Sequence, residues 1–138
     1  MNREDIKKLL PHREPMLLID EAEQAGDEAV ASYTIKSDDW FVQGHFPGNP
    51  VVPGVILCEM MGQSACVLIN LHGGKFTPYF TGLEHVKFRH PVKVGDTVVV
   101  KSKIDKIKRM FYFVKSSGYV NGNLCVSGDL SFALVEGV

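Results

Sequence analysis

The sequence predicts an α+β domain in which one long, covered helix lies against a curled antiparallel sheet. Three observations carry that expectation. Residues Val55 to Leu71 form an apolar run with no continuous polar face, so the helix they make cannot lie on a surface. Four segments after it have strand character, Phe80–His90, Thr97–Lys106, Met110–Val120 and Leu124–Val135. In the last of these, Leu124, Val126, Leu130, Phe132 and Leu134 alternate with small or polar residues, the period of a sheet with one covered face.

The elements follow in order. Asn2 to Leu10 reads as a short helix closed by Pro11, because a proline ring disfavours helical geometry at the residue before it. An extended segment is expected at Met16–Asp20. Glu28 to Lys36 places Ala29, Ala31, Tyr33 and Ile35 on one face of a half-buried strand. Asp38 to Pro53 is dense in glycine, proline and aromatic residues and is expected to be an ordered loop. The long helix should stop at Gly73 and Gly74, and Asn121-Gly122-Asn123 supplies the turn between the final two strands. A helix wrapped in this way by a sheet whose strands mostly follow it in sequence is the hot-dog arrangement.

At 138 residues the chain is read as one domain, 1–138, with no internal repeat. A net charge of −1 provides no general field for nucleic acid or an anionic membrane. The Val55–Leu71 run is long enough to span a bilayer, but Glu59 and Gln63 interrupt it and no flanking basic cluster or second apolar stretch accompanies it. A helix covered by protein is the favoured reading. Cys58, Cys66 and Cys125 lack the spacing of a zinc site or a disulfide framework, and no apolar signal segment follows the charged N-terminus. Cytoplasm is the default location.

The chemistry concentrates in Gly44-His45-Phe46-Pro47-Gly48-Asn49-Pro50-Val51-Val52-Pro53-Gly54-Val55 and in Glu59 on the helix that follows. Prolines and glycines at this density fix one backbone path and permit close approach by a ligand. A histidine held on such a loop suits proton transfer near neutrality. Glu59 and Gln63, four residues apart, share one helix face. Burial of that carboxyl should favour its protonated form, so the two groups make a plausible base and acid. Gly54 at the helix start offers an unsatisfied N–H to a developing oxyanion.

A structural reading stands beside each: His45 as a loop histidine, Glu59 as a carboxylate simply bonded by Gln63. His12, His72, His85 and His90 are taken as structural or solvated. Metal binding by His45 and Glu59 lacks a third ligand at a recognised spacing. The run of Lys101, Lys103, Lys106, Lys108 and Arg109 is either a solvated hairpin face or a docking patch for an acidic partner.

The segment GHFPGNPVVPGV followed by ILCEMMGQ resembles the active-site signature of bacterial FabZ-type 3-hydroxyacyl-[acyl-carrier-protein] dehydratases. LPHREPMLLID at Leu10–Asp20 and FTGLEHVKFRHPVKVGD at Phe80–Asp96 extend the resemblance over nearly the whole chain. It implies dehydration of (3R)-hydroxyacyl thioesters to trans-2-enoyl thioesters in type II fatty acid biosynthesis, on acyl carrier protein and without a cofactor. It implies that His45 and Glu59 are catalytic, where FabA-type dehydratase/isomerases carry aspartate in place of the glutamate. It further implies Gly54 in the oxyanion hole, a mobile tyrosine at Tyr79, and Phe46, Val55 and Gln63 at the substrate.

A homodimer is implied, with His45 of one subunit facing Glu59 of the other, assembling to a hexamer as a trimer of dimers. Physically, one curled sheet was expected to leave part of so apolar a helix uncovered, for a second copy to cover. The chain departs from the commoner EAxAQ pattern, with Met60, Met61 and Gly62 between Glu59 and Gln63, so acyl-length preference stays open. Three alternatives remain: a hot-dog thioesterase, a dehydratase with added enoyl isomerase activity, and a non-catalytic acyl-binding protein.

Overall fold

Each element of the computed structural model, which describes residues 1–73 and 77–135, has a local cause in the sequence. Helix α1 (Arg3–Leu9) begins where the Asn2 side chain accepts from the Asp5 N–H and the Asp5 carboxylate accepts from the Asn2 N–H. That reciprocal cap satisfies two donors left over at a helix start. Leu10 is already extended ahead of Pro11, as the proline requires.

The expected extended segment Met16–Asp20 contains no regular strand, and the strand lies just beyond it as β1 (Glu21–Ala25). Its sequence, EAEQA, hides it: only Ala22 is buried, because β1 is a sheet edge whose other side chains face water. It pairs antiparallel with β2 (Glu28–Thr34), where Ala29, Ala31 and Tyr33 are buried as the alternation predicted. The Asp38–Pro53 segment is irregular apart from a short 3-10 turn at Trp40–Val42.

Helix α2 (Gly54–Gly73) starts one residue before the expected position. From Ile56 to Asn70, Glu59 is the one side chain not fully buried. This is the helix long and apolar enough to cross a membrane, and it is core: 78% of that window is buried. The expectation that it would stand partly uncovered is corrected, since β2, β4 and β5 pack on it and the N-terminal segment closes over it.

The sheet is completed by β3 (Thr77–Phe88), β4 (Thr97–Lys108), β5 (Phe111–Val120) and β6 (Asn123–Val135). The six strands run in the order β1-β2-β4-β5-β6-β3, every neighbouring pair antiparallel. β3 begins earlier and ends earlier than the expected Phe80–His90. The turn expected at Asn121-Gly122-Asn123 is there but one residue shorter: Asn121 and Gly122 take positive φ, 50° and 79°, and Asn123 already begins β6. The stop expected at Gly73 and Gly74 falls only partly within the described residues, with α2 running to Gly73.

A bulge in β4 arranges the basic residues. Ile104 pairs with Val114 but Lys106, not Asp105, pairs with Phe113, so one extra residue enters the strand at Asp105. Lys101, Lys103, Lys106 and Lys108 therefore project from the same outer face, opposite Ser117, Lys115, Phe113 and Phe111. β3 is the other edge. Tyr79, Leu83 and Phe88 on it are all more than 45% exposed, as are Phe46 and Val55 nearby in the loop and helix start. Among the described residues a second exposed apolar group, Ile107, Met110 and Phe111, lies at the β4–β5 turn.

Candidate active site

The 45–51 loop is held by bonds to itself. The Val51 N–H donates to the His45 carbonyl at 2.7 Å, Asn49 N–H to Phe46 O at 2.9 Å, and Phe46 N–H to Asn49 O at 3.2 Å. The loop is then tied to the body of the chain by Val52 N–H to Val92 O and by the Val51–Lys93 bridge. His45 Nδ1 stands 3.1 Å from the Val51 carbonyl, and its ring stacks on Phe46 at 4.2 Å. A carbonyl only accepts, so Nδ1 carries the proton and Nε2 is left with a free lone pair. That is the tautomer a general base needs.

Glu59 sits on the second turn of α2 with its side chain 25% exposed, less buried than the sequence suggested. Its Oε2 accepts from Gln63 Nε2 at 2.9 Å. The same amide nitrogen donates to Met16 O at 2.7 Å, and Gln63 Oε1 accepts from the Leu18 N–H at 2.8 Å. Both backbone partners have fixed polarity, so the amide has one orientation and always presents a donor to Glu59.

His12, expected to be structural or solvated, is not solvated. Its Nε2 lies 3.6 Å from Glu59 Oε2, and its Nδ1 is buried without a hydrogen-bond partner. Burial holds its pKa below the ordinary value; the Glu59 charge opposes that shift and Arg13 adds to it. No local pattern could have flagged His12, because it reaches Glu59 only through the docking of the Pro11–Pro15 turn onto α2.

A cavity of about 300 Å³ opens at Glu59, walled by Gly62, Cys66, Tyr79, Phe80 and Phe132. Burial first, then the nearby Glu59 charge, raises the Cys66 thiol well above its ordinary range, so it is an inert wall and not a nucleophile. Tyr79 is on the β3 ladder opposite Ala133, not on a loop. His45 does not line this cavity. A larger open groove of about 480 Å³, at Met1, Glu21 and Val99, holds none of these groups.

Gly54 begins α2, and the helix ladder starts from the Pro53 carbonyl, which accepts from Ile56 and Leu57. The Gly54 and Val55 N–H groups thus precede the ladder. A Cβ at Gly54 would stand 3.0 Å from the Phe88 ring, which explains the absence of a side chain there. Among the described residues no group of three His, Cys, Asp or Glu side chains is placed to hold a metal ion.

The chain matches the FabA-like domain family over residues 10–129. It is 37% identical over 139 residues to the 3-hydroxyacyl-[acyl-carrier-protein] dehydratase FabZ of Oenococcus oeni, a match covering 97% of this chain and 99% of that protein. It is also 37% identical over 137 residues to that of Clostridium perfringens, with the same coverage. The chain belongs to the FabZ family of dehydratases.

Solved structures agree at the level of fold. A chain of the ApeI:P dehydratase heterocomplex from Xenorhabdus doucetiae superposes with a TM-score of 0.79 at 18% identity, covering 94% of this chain and 90% of that one. The E. coli PaaI protein of the phenylacetic acid degradation operon gives 0.67 at 12% identity, over 82% and 81%. The FabZ family is thus hot-dog in this member, with the sheet open and α2 against its inner face. Of the residues singled out in the sequence, Glu59, Gln63 and Tyr79 share one cavity, while His45, Phe46, Gly54 and Val55 gather at the loop and helix start.

Proposed function

We propose that this FabZ-family chain dehydrates a 3-hydroxyacyl thioester on acyl carrier protein with His45 as base and Glu59 as acid. The observation that supports the assignment is that the chain holds both a histidine whose Nε2 is left bare and a carboxyl at the mouth of an apolar cavity. The thioester carbonyl accepts from the Gly54 N–H, which stabilises the enolate as it forms. His45 Nε2 takes the C2 proton, the electron pair forms the C2–C3 double bond, and the C3–O bond breaks. Glu59 supplies the proton that lets the hydroxyl leave as water. The proton gained by His45 is then returned to Glu59 through solvent.

His45 and Glu59 of one chain do not share a cavity, and β3 is an unpaired edge beside exposed apolar residues. Both features support a homodimer that joins two β3 edges and brings His45 of one subunit to Glu59 of the other. Assembly of three such dimers into a hexamer is part of this reading. Apolar side chains lining the cavity would hold the acyl chain, with Phe46 and Val55 at its reacting end. Free buried cysteines suit a cytoplasmic enzyme.

The experiment is incubation with a 3-hydroxyacyl carrier-protein thioester and identification of products, for the wild type and for His45→Ala and Glu59→Gln. The wild type gives the trans-2-enoyl thioester, and each variant loses most turnover while keeping native circular dichroism. Free thiol as the product, or near-normal turnover in either variant, overturns the assignment.

A further inference from the structure

The cavity is bounded, one helical turn beyond Glu59, by an aromatic ring whose place depends on a missing methyl group. A Cβ built on Gly62 would stand 2.3 Å from Phe80 Cζ and 2.9 Å from its Cε2. Carbon atoms in contact are ordinarily about 3.5–4.0 Å apart. The tip of the Phe80 ring therefore fills the notch that any side chain at position 62 would occupy.

The ring can retreat on its open side only, where Phe80 is 41% exposed. Phe80 is paired with Phe132 across the β3–β6 ladder, and the two rings stack with centroids 4.9 Å apart and planes inclined by 23°. Phe132 is itself buried in the core, only 1% exposed. Phe80 thus has the α2 backbone at its tip and a fixed neighbour on one face. A side chain at position 62 must lift the tip off the helix by about 1.2 Å to restore contact distance, and the open side of the ring is the cavity.

Two of the cavity's other walls are held in place. Cys66 lies on the buried side of α2, and Gln63 is locked by two backbone groups. Beside these held walls, the position of the Phe80 ring changes how much bore remains between Glu59 and Cys66.

We propose that Gly62 and Phe80 together set the acyl-length limit of this enzyme, the notch at Gly62 letting the ring lie flat against α2 and leaving the bore open to longer chains. The proposal rests on the reading of Glu59 as the acid at the reacting end of the cavity. It assigns a specificity role to Gly62, one of the two positions, with Met60, where the chain departs from the EAxAQ pattern. Hydrophobic pockets discriminate by roughly 10–200-fold per methylene gained or lost. Loss of space for even one methylene is therefore visible in a substrate series.

The test measures kcat/KM on carrier-bound 3-hydroxyacyl thioesters from four to twelve carbons, for the wild type, Gly62→Ala, Phe80→Leu and the double variant. The readout is the ratio of the twelve-carbon to the four-carbon value, which cancels a general loss of active protein. Gly62→Ala lowers the ratio on the order of tenfold. Phe80→Leu, which removes the ring without adding anything to the helix, raises it. The double variant returns it towards the wild type.

Should Gly62→Ala fail to fold, Phe80→Leu alone still decides. A ratio within about twofold of wild type in that variant overturns the proposal. A wild type inert on the whole series overturns the Glu59 reading and the proposal with it; an active wild type with unchanged ratios in the variants overturns the notch alone.

Discussion

Replacing Gln63 by leucine keeps the volume of the side chain and removes three hydrogen bonds, and their unequal surroundings set the size of the effect. Met16 is 40% exposed, so its carbonyl can turn to water. Glu59 is partly exposed and can do the same. The Leu18 N–H cannot, since Leu18 is 1% exposed and Gln63 Oε1 is the acceptor it has. An orphaned buried donor costs about 1–3 kcal/mol, so Gln63→Leu should destabilise the protein by about 2 kcal/mol. For a chain of this size that lowers Tm by roughly 6–10 °C.

The assay is urea unfolding with thermal melts at one fixed protein concentration, because association would otherwise shift the midpoint. Turnover is measured alongside. It should fall by at least about tenfold, since Glu59 loses the donor that holds it. Glu59→Gln is the control: it leaves the Leu18 and Met16 bonds in place, so it should lose activity with little change in Tm. If Gln63→Leu remained within about 0.5 kcal/mol of the wild type, the backbone lock described here would not be what holds that segment to α2.

Three further outcomes are expected. Refolding His45→Ala and Glu59→Gln chains together at equal ratio should restore about a quarter of wild-type activity, because half the dimers are mixed and half their sites intact; recovery of none, with exchange verified, rules out a shared site. Reversing charge at Lys106 and Lys108 should raise KM for carrier-bound substrate far more than for a short soluble thioester; equal effects would place the carrier protein elsewhere.

The third concerns His12, whose pKa burial holds below 6.5. The unfolded chain takes up that proton more readily than the folded one, so the contribution is present above pH 6.5 and is lost as pH falls below it. Glu14 and Asp129, whose pKa values are lowered from 4.5 and 3.8, lose their share only in more acid solution. His12→Asn should therefore show a smaller drop in Tm between about pH 7.5 and about pH 5.5 than the wild type. An equal drop in both proteins would assign the effect to another group.

What could be read from the sequence was whatever is written into short-range pattern. The lack of a polar face on Val55–Leu71 declared a covered helix, the alternation in β6 declared a one-sided sheet, and Asn121-Gly122 declared its turn. His45 and Glu59 stood out because a rigid loop and an isolated carboxyl in an apolar helix are locally unusual. β1 escaped because an edge strand with four water-facing side chains has no apolar signature. His12, and the contact of Phe80 with Gly62, escaped for a different reason. Each depends on a partner at long sequence separation, and neither residue's neighbours along the chain carry any trace of it.

The extra residue at Asp105 gives β4 two registers, as the irregularities in β3 and β6 do for those strands. Side chains on a strand alternate between faces, so the count of residues before a given position decides which face it takes. In β4 the first half has one count and the second half another, joined at a single point. Straightening the strand with every residue kept is a change of phase for everything beyond it: Lys106 and Lys108 would exchange faces with Ile107 and turn their charge to the inner side. Deletion of Asp105 does the opposite, removing the extra residue and leaving Lys106 and Lys108 outward, opposite Phe113 and Phe111. The basic end of this hairpin thus tolerates loss of the bulged residue but not loss of the bulge around it.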